Sequence, residues 1–146
     1  MVAKVAVMNK ICVAVLVSCL SIMAFAVPAR VGHILDGDTF SASVNLDVDT
    51  TVSVRVRLRN VDTPEMNGDC EYERKRAVAA RDRLAEIIPV GSVVELSNVK
   101  DDKYLGRIDA NVADSRGRDV GEILIHEKFG RRYNGGRRKP WCRSMQ

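Results

Sequence analysis

Two short stretches carry the residue types and spacing that could do chemistry. Arg57 to Glu65 reads Arg-Leu-Arg-Asn-Val-Asp-Thr-Pro-Glu, a strand-like run with arginines that ends in two carboxylates separated by Thr63-Pro64. Upstream, Asp36-Gly37-Asp38-Thr39 closes another β-prone run with a second acidic cluster. Acids and arginines together suit chemistry on a phosphodiester. Such an ester needs positive charge where negative charge builds up during attack, and a carboxylate to take a proton from the nucleophile. Asp38 and Asp62 offer the oxygen ligands that hard divalent cations prefer. Arg57 can fork onto phosphate oxygens through its planar guanidinium. Pro64 stiffens the turn and sets the angle of Glu65 relative to Asp62. Taken singly, Asp-Thr-Pro-Glu and Asp-Gly-Asp are also ordinary turn sequences; their occurrence together favours a site.

The elements that must position these residues follow from periodicity. Thr51 to Leu58 alternates strictly, with Val52, Val54, Val56 and Leu58 on one side and Thr51, Ser53, Arg55 and Arg57 on the other, which predicts a strand that buries the valines. Val31 to Leu35 and Thr39 to Leu46 are expected strands, with Asn45 to Thr50 a polar turn. Met66 to Cys70 reads as a loop. Glu71 to Ile88 reads as a helix, its apolar face built from Ala77, Ala80, Leu84, Ile87 and Ile88, stopped by Pro89 and Gly91. Val93 to Val99 and Gly106 to Ala113 are two further strands. A second helix is expected from Asp119, with a capping box of Asp119 and Glu122, to about Phe129, followed by a loop from Gly130 to Gly136. Three strands, a helix, two strands and a helix fit an α+β, mainly β fold. The specific expectation is a five-stranded barrel of the oligonucleotide-binding (OB) type with two to three helices.

Composition narrows the setting. The chain has 146 residues, 46% of them hydrophobic, enough for one domain and too few for two. Lys4 and Lys10 lead into an apolar run, Ile11 to Ala26, closed by Ala24-Phe25-Ala26, the form of a secretory signal peptide with cleavage after Ala26. Met8 is an alternative start. The run is short for a membrane span, and Leu16-Val17-Ser18-Cys19 also has the form of a lipoprotein processing site. Residues 27–146 are then the working domain, secreted or periplasmic, with no stable membrane association expected after cleavage. Cys12 and Cys19 depart with the signal, which leaves Cys70 and Cys142 either bridged or as two free thiols. The ligand count argues against a structural zinc site at these cysteines, which needs four ligands, since His33 and His126 show no companion spacing.

Net charge is +4 overall and +2 once Lys4 and Lys10 are set aside. Arg131 to Arg143 holds six basic residues and no acid, a segment that either neutralises a polyanion or is simply a solvated basic tail.

With the additional stretch Asp102-Lys103-Tyr104-Leu105-Gly106-Arg107, the ordered set over residues 31–133 resembles the thermonuclease family, the secreted staphylococcal-type nucleases. The resemblance implies the OB barrel, a Ca2+ cofactor, and DNA and RNA as partners. It further implies a monomeric endonuclease that hydrolyses phosphodiester bonds with low sequence specificity and expels the 5′ oxygen. It assigns Asp38, Asp62 and the carbonyl of Thr63 to calcium, with Asp36 near the ion and Glu65 as general base. Arg57 and Arg107 would hold the phosphate, Lys103 and Tyr104 would lie beside the substrate, and Tyr133 is a candidate for base stacking. Leu105, inserted between Tyr104 and Gly106, departs from the family pattern and must be absorbed by the loop if Arg107 is to reach the phosphate. The segment Gly135 to Cys142 departs too, and is expected to fold back with Trp141 covering apolar surface. The competing expectations are a non-catalytic OB-fold module that binds nucleic acid or protein, and a calcium-stabilised accessory protein.

Overall fold

The computed structural model describes residues 25–142. The signal segment with Cys12 and Cys19, and Arg143 of the basic tail, fall outside the described residues apart from Phe25 and Ala26.

Among the described residues, seven strands and two helices follow in the order β1 (Val27–Ile34), β2 (Thr39–Asn45), β3 (Thr51–Leu58), β4 (Val61–Asp62), α1 (Glu71–Ile87), β5 (Val93–Asp101), β6 (Arg107–Ala113), α2 (Val120–His126) and β7 (Arg131–Arg132). Five of the strands close into a barrel in the order β1-β2-β3-β6-β5, with β5 returning to pair with β1. All of its pairings are antiparallel except β3 with β6, which run parallel across the seam. With α1 inserted between β3 and β5, this is an OB-fold-like α+β barrel carrying two helices.

The alternation of β3 works as expected. Val56 and Leu58 are buried, Val52 and Val54 pack against the core from its edge, and Thr51, Ser53 and Arg55 are exposed. Phe40, Leu84, Leu96 and Leu124 join them in one core that links the barrel to both helices. Each such side chain contributes roughly 1.5–3 kcal/mol by leaving water. Helix α1 buries Ala77, Ala80 and Leu84, and Leu84 joins this core. Its N-cap position is Cys70, whose side chain makes no capping hydrogen bond because its sulfur is committed to a disulfide with Cys142. The bridged alternative for the two cysteines therefore holds.

Several boundaries differ from the sequence expectations. Strand β1 begins at Val27, four residues before Val31, because Val27 to Arg30 pair with Leu96 to Val93 of β5. Helix α2 stops at His126 rather than near Phe129, with Lys128 in the left-handed region (φ 64°) reversing the chain. Asp119 caps α2 by accepting from the Glu122 amide at 2.9 Å. The expected box is half formed, since the Glu122 carboxylate pairs with Arg132 at 2.8 and 2.9 Å. The segment from Gly130 to Gly136 is not all loop: Arg131 and Arg132 form β7, antiparallel to Val61 and Asp62 of β4.

Candidate active site

The acidic loop between β1 and β2 is held against α1 and the end of β4. Gly37 makes this approach possible, because a Cβ there would lie 2.6 Å from the Ala80 Cβ and 2.9 Å from the Thr63 hydroxyl. Within the loop the Asp36 carboxylate accepts from the Asp38 amide at 3.0 Å. Asp38 is buried; one oxygen accepts from the Thr39 hydroxyl at 3.0 Å. Its other oxygen accepts from Arg57 at 3.4 Å and from the Thr63 amide at 3.3 Å. The Asp-Gly-Asp and Asp-Thr-Pro-Glu stretches, 24 positions apart from Asp38 to Asp62, therefore meet through a direct bond.

Arg57, near the end of β3, is buried although it belongs to the strand face that carries the exposed Thr51, Ser53 and Arg55. It donates to the Val61 carbonyl at 3.1 Å as well as to Asp38, so it is fixed before any ligand arrives. Burial next to like charge pushes the Asp36 carboxyl up from 3.8 to about 6, with Asp38 and then Glu65 adding to the effect. Glu65 is half exposed, while its amide donates to the buried Glu73 of α1 at 3.2 Å. Glu73 thus anchors the backbone under Glu65, a role that its place among the charged residues of an amphipathic helix does not announce.

Arg107 lies at the start of β6, in parallel register with Arg55 of β3, and lines the same groove of about 750 Å³ as Arg57 and Glu65. The extra Leu105 is absorbed at the tip of the β5–β6 hairpin, where it is 98% exposed. Arg107 is braced by Asp102 at 2.6 Å and by the Tyr104 ring, whose centroid lies 4.4 Å from the guanidinium. Lys103, Tyr104 and Tyr133 line the groove as well. All the side chains expected at the site are therefore drawn together, and Thr63 is buried between Asp38 and Asp62.

The C-terminal segment contributes what the sequence reading missed. Arg131 donates to Asp62 Oδ2 through Nε at 2.9 Å, with Nη2 2.8 Å from the same oxygen, and its guanidinium stacks on Trp141 at 4.0 Å. Arg138 pairs with Glu65 and brings its Nε to 3.3 Å from Asp62 Oδ1. The tail does fold back, but Trp141 covers the guanidiniums of Arg131 and Arg76 rather than apolar core. The only sequence signal for this return is Cys142, whose bridge to Cys70 spans 72 positions.

In ligand type the donor set suits a hard divalent cation, although its carboxylate oxygens do not converge into a cluster in this structure. Asp36, Asp38, Asp62 and Glu65 supply oxygen only, the ligand type calcium takes. Asp62 is 1% exposed, and its Oδ1 is buried without a hydrogen bond while Oδ2 is held by Arg131. Crowding of Asp36 by Asp38 and Glu65 is the kind of repulsion that a cation relieves. Asp38, Asp62 and Thr63 would be its first holders.

No family model and no curated protein matches the chain, so the case for what this site does rests on its geometry and chemistry.

Proposed function

We propose that the protein is a secreted, calcium-dependent phosphodiesterase of thermonuclease type that cuts DNA and RNA with low sequence specificity. The observation that carries this reading is the meeting of Asp38, Arg57, Asp62 and Thr63 beside a groove of about 750 Å³ that Glu65 and Arg107 also line. Asp38, Asp62 and the Thr63 carbonyl would hold the ion. Calcium, when bound, withdraws charge from a phosphate oxygen. Glu65, on the open side of the site, accepts the proton of the attacking water. Arg57 and Arg107 enter from two adjacent strands and brace the pentavalent phosphorus against its gathering negative charge. Every one of these groups addresses phosphate, which accounts for indifference to base identity.

One observation favours a second reading, a non-catalytic OB-fold module that binds nucleic acid or a protein: Arg57, Arg131 and Arg138 already pair with the site acids. Plasmid DNA incubated with the purified protein in calcium, and then in excess chelator, separates the two. Cleavage that the chelator abolishes supports the enzyme; retention of DNA in a mobility-shift gel without cleavage supports the binding module.

A further inference from the structure

We propose that Arg138 is a built-in counter-cation of the acid site, displaced by the divalent ion and then turned toward the substrate phosphate beside Arg57. The inference rests on the calcium reading above and adds to it a third guanidinium, supplied by the C-terminal strap.

The strap is anchored at both ends. At its start, β7 pairs with β4 and the Tyr133 amide donates to the Asn60 carbonyl at 2.9 Å. At its end stands the Cys70–Cys142 bridge. Between them Gly135 and Gly136, both in the left-handed region at φ 93° and 83°, make a turn that the Tyr133 hydroxyl closes by donating to the Gly136 carbonyl at 2.6 Å. Arg131 holds the far limb by donating to the carbonyls of Lys139 and Pro140. Arg138 is thereby delivered onto Asp62 and Glu65 by a fixed backbone.

The two arginines on Asp62 are not equivalent. Arg131 grips Oδ2 with two nitrogens, packs on Trp141 and ties down the strap, so it positions Asp62. Arg138 donates a hydrogen bond to the half-exposed Glu65 but approaches Asp62 Oδ1 at 3.3 Å without one, and its side chain stays 39% exposed. A single diffuse charge with poor geometry is a weak partner for a buried oxygen. An ion of twice the charge, bound at about 2.4 Å, is a better one. Competition between them lowers the apparent affinity for calcium by the fraction of time that Arg138 occupies the acids.

Displacement leaves Arg138 a place to go. It forms the wall between the groove and a smaller pocket of about 230 Å³ that Asp69 and Glu73 line. On the groove side its guanidinium and that of Arg57 each lie 5.9 Å from the centroid of the Tyr133 ring. A side-chain rotation about an unmoved backbone would join it to the phosphate-binding arginines.

Calorimetric titration of calcium into the full, disulfide-bonded protein without nucleic acid tests the first half, with Arg138→Gln, Arg138→Lys and the exposed-neighbour control Arg137→Gln. Arg138→Gln is expected to bind calcium at least about tenfold more tightly. Arg138→Lys, which keeps the charge and loses the fork, should fall between it and the parent. Arg137→Gln should stay within about twofold. In calcium, the dependence of single-stranded oligonucleotide binding on salt should flatten by about one phosphate contact in Arg138→Gln. Calcium affinity that is unchanged or weaker in a folded Arg138→Gln, with the parent binding normally, overturns the competition. An unchanged salt slope overturns the phosphate contact. Absence of calcium binding in parent and variants alike overturns the calcium reading itself, and this proposal with it. Should Arg138→Gln fail to fold, parent-like calcium affinity in Arg138→Lys overturns the competition.

Discussion

Glu65 and Arg57 separate chemistry from stability within one site. Glu65 is half exposed and Arg57 is 7% exposed with its charge set against buried Asp38. Glu65→Gln is expected to lower the cleavage rate by on the order of a hundredfold or more while shifting stability by under about 0.5 kcal/mol. Arg57→Ala should cost a similar factor in rate and also about 3 kcal/mol in stability, because it strands a buried carboxylate. Denaturant midpoints measured beside single-turnover rates check both; turnover close to the parent's in either variant removes its assigned role. Asp36 provides the pH test. Its carboxyl is raised from 3.8 to about 6 by burial and by Asp38, so across that window the folded chain keeps a proton that the unfolded chain has lost. Stability from this group therefore falls as pH rises from about 4 to about 6. The stability difference between parent and Asp36→Asn should follow that fall in chelator and flatten in calcium, which favours the charged form. A difference independent of pH would remove the crowding. Asp36, Asp38, Asp62, Glu65, Arg57 and Arg107 were legible because each sits in a short motif whose spacing survives folding. Arg131 and Arg138 were not. A run of like charges has no periodicity, and the destination of this one is fixed by a two-residue strand and a distant sulfur.

Elements show the same division between local and distant causes. Strand β3 matched its expected bounds because alternation over eight residues is a local property that the barrel simply uses. The first four residues of β1 escaped notice since they follow directly on the apolar N-terminal run, and only their pairing with β5 defines them as strand. The end of α2 depends on a single left-handed residue, Lys128, which no composition signals. The contact between the acidic loop and α1 depends in turn on Gly37. Gly37→Ala is expected to force the loop from the helix, costing about 2 kcal/mol and most of the activity as Asp36 and Asp38 move. Adding Ala80→Gly removes the 2.6 Å clash but leaves Thr63 at 2.9 and 3.0 Å, so it should restore activity only in part, and a glycine within α1 itself costs about 1 kcal/mol. Rates no higher in the double variant than in Gly37→Ala would point to some cause other than the clash with Ala80.

At the scale of the whole molecule, the Cys70–Cys142 bridge fastens the chain end to the start of α1. Closing a loop of 72 positions restricts the unfolded chain enough to stabilise the fold by about 4 kcal/mol. Urea midpoints with and without dithiothreitol should differ accordingly, and the double variant Cys70→Ser/Cys142→Ser should match the reduced protein. Equal midpoints for oxidised and reduced protein would show that the strap is held by its arginine contacts alone.

The parallel seam between β3 and β6 has a consequence for the life of the chain. Arg57 and Arg107 come from segments made well apart in time during synthesis, and they become neighbours only when the last barrel strand docks. On the proposed function, a nascent or truncated polypeptide lacking β6 would hold the acids and Arg57 but lack Arg107 and a closed barrel, and so would have no cutting power. On that reading, the capacity to cut nucleic acid would arrive in one cooperative step with the finished fold and would spare the producing cell while the polypeptide is being made.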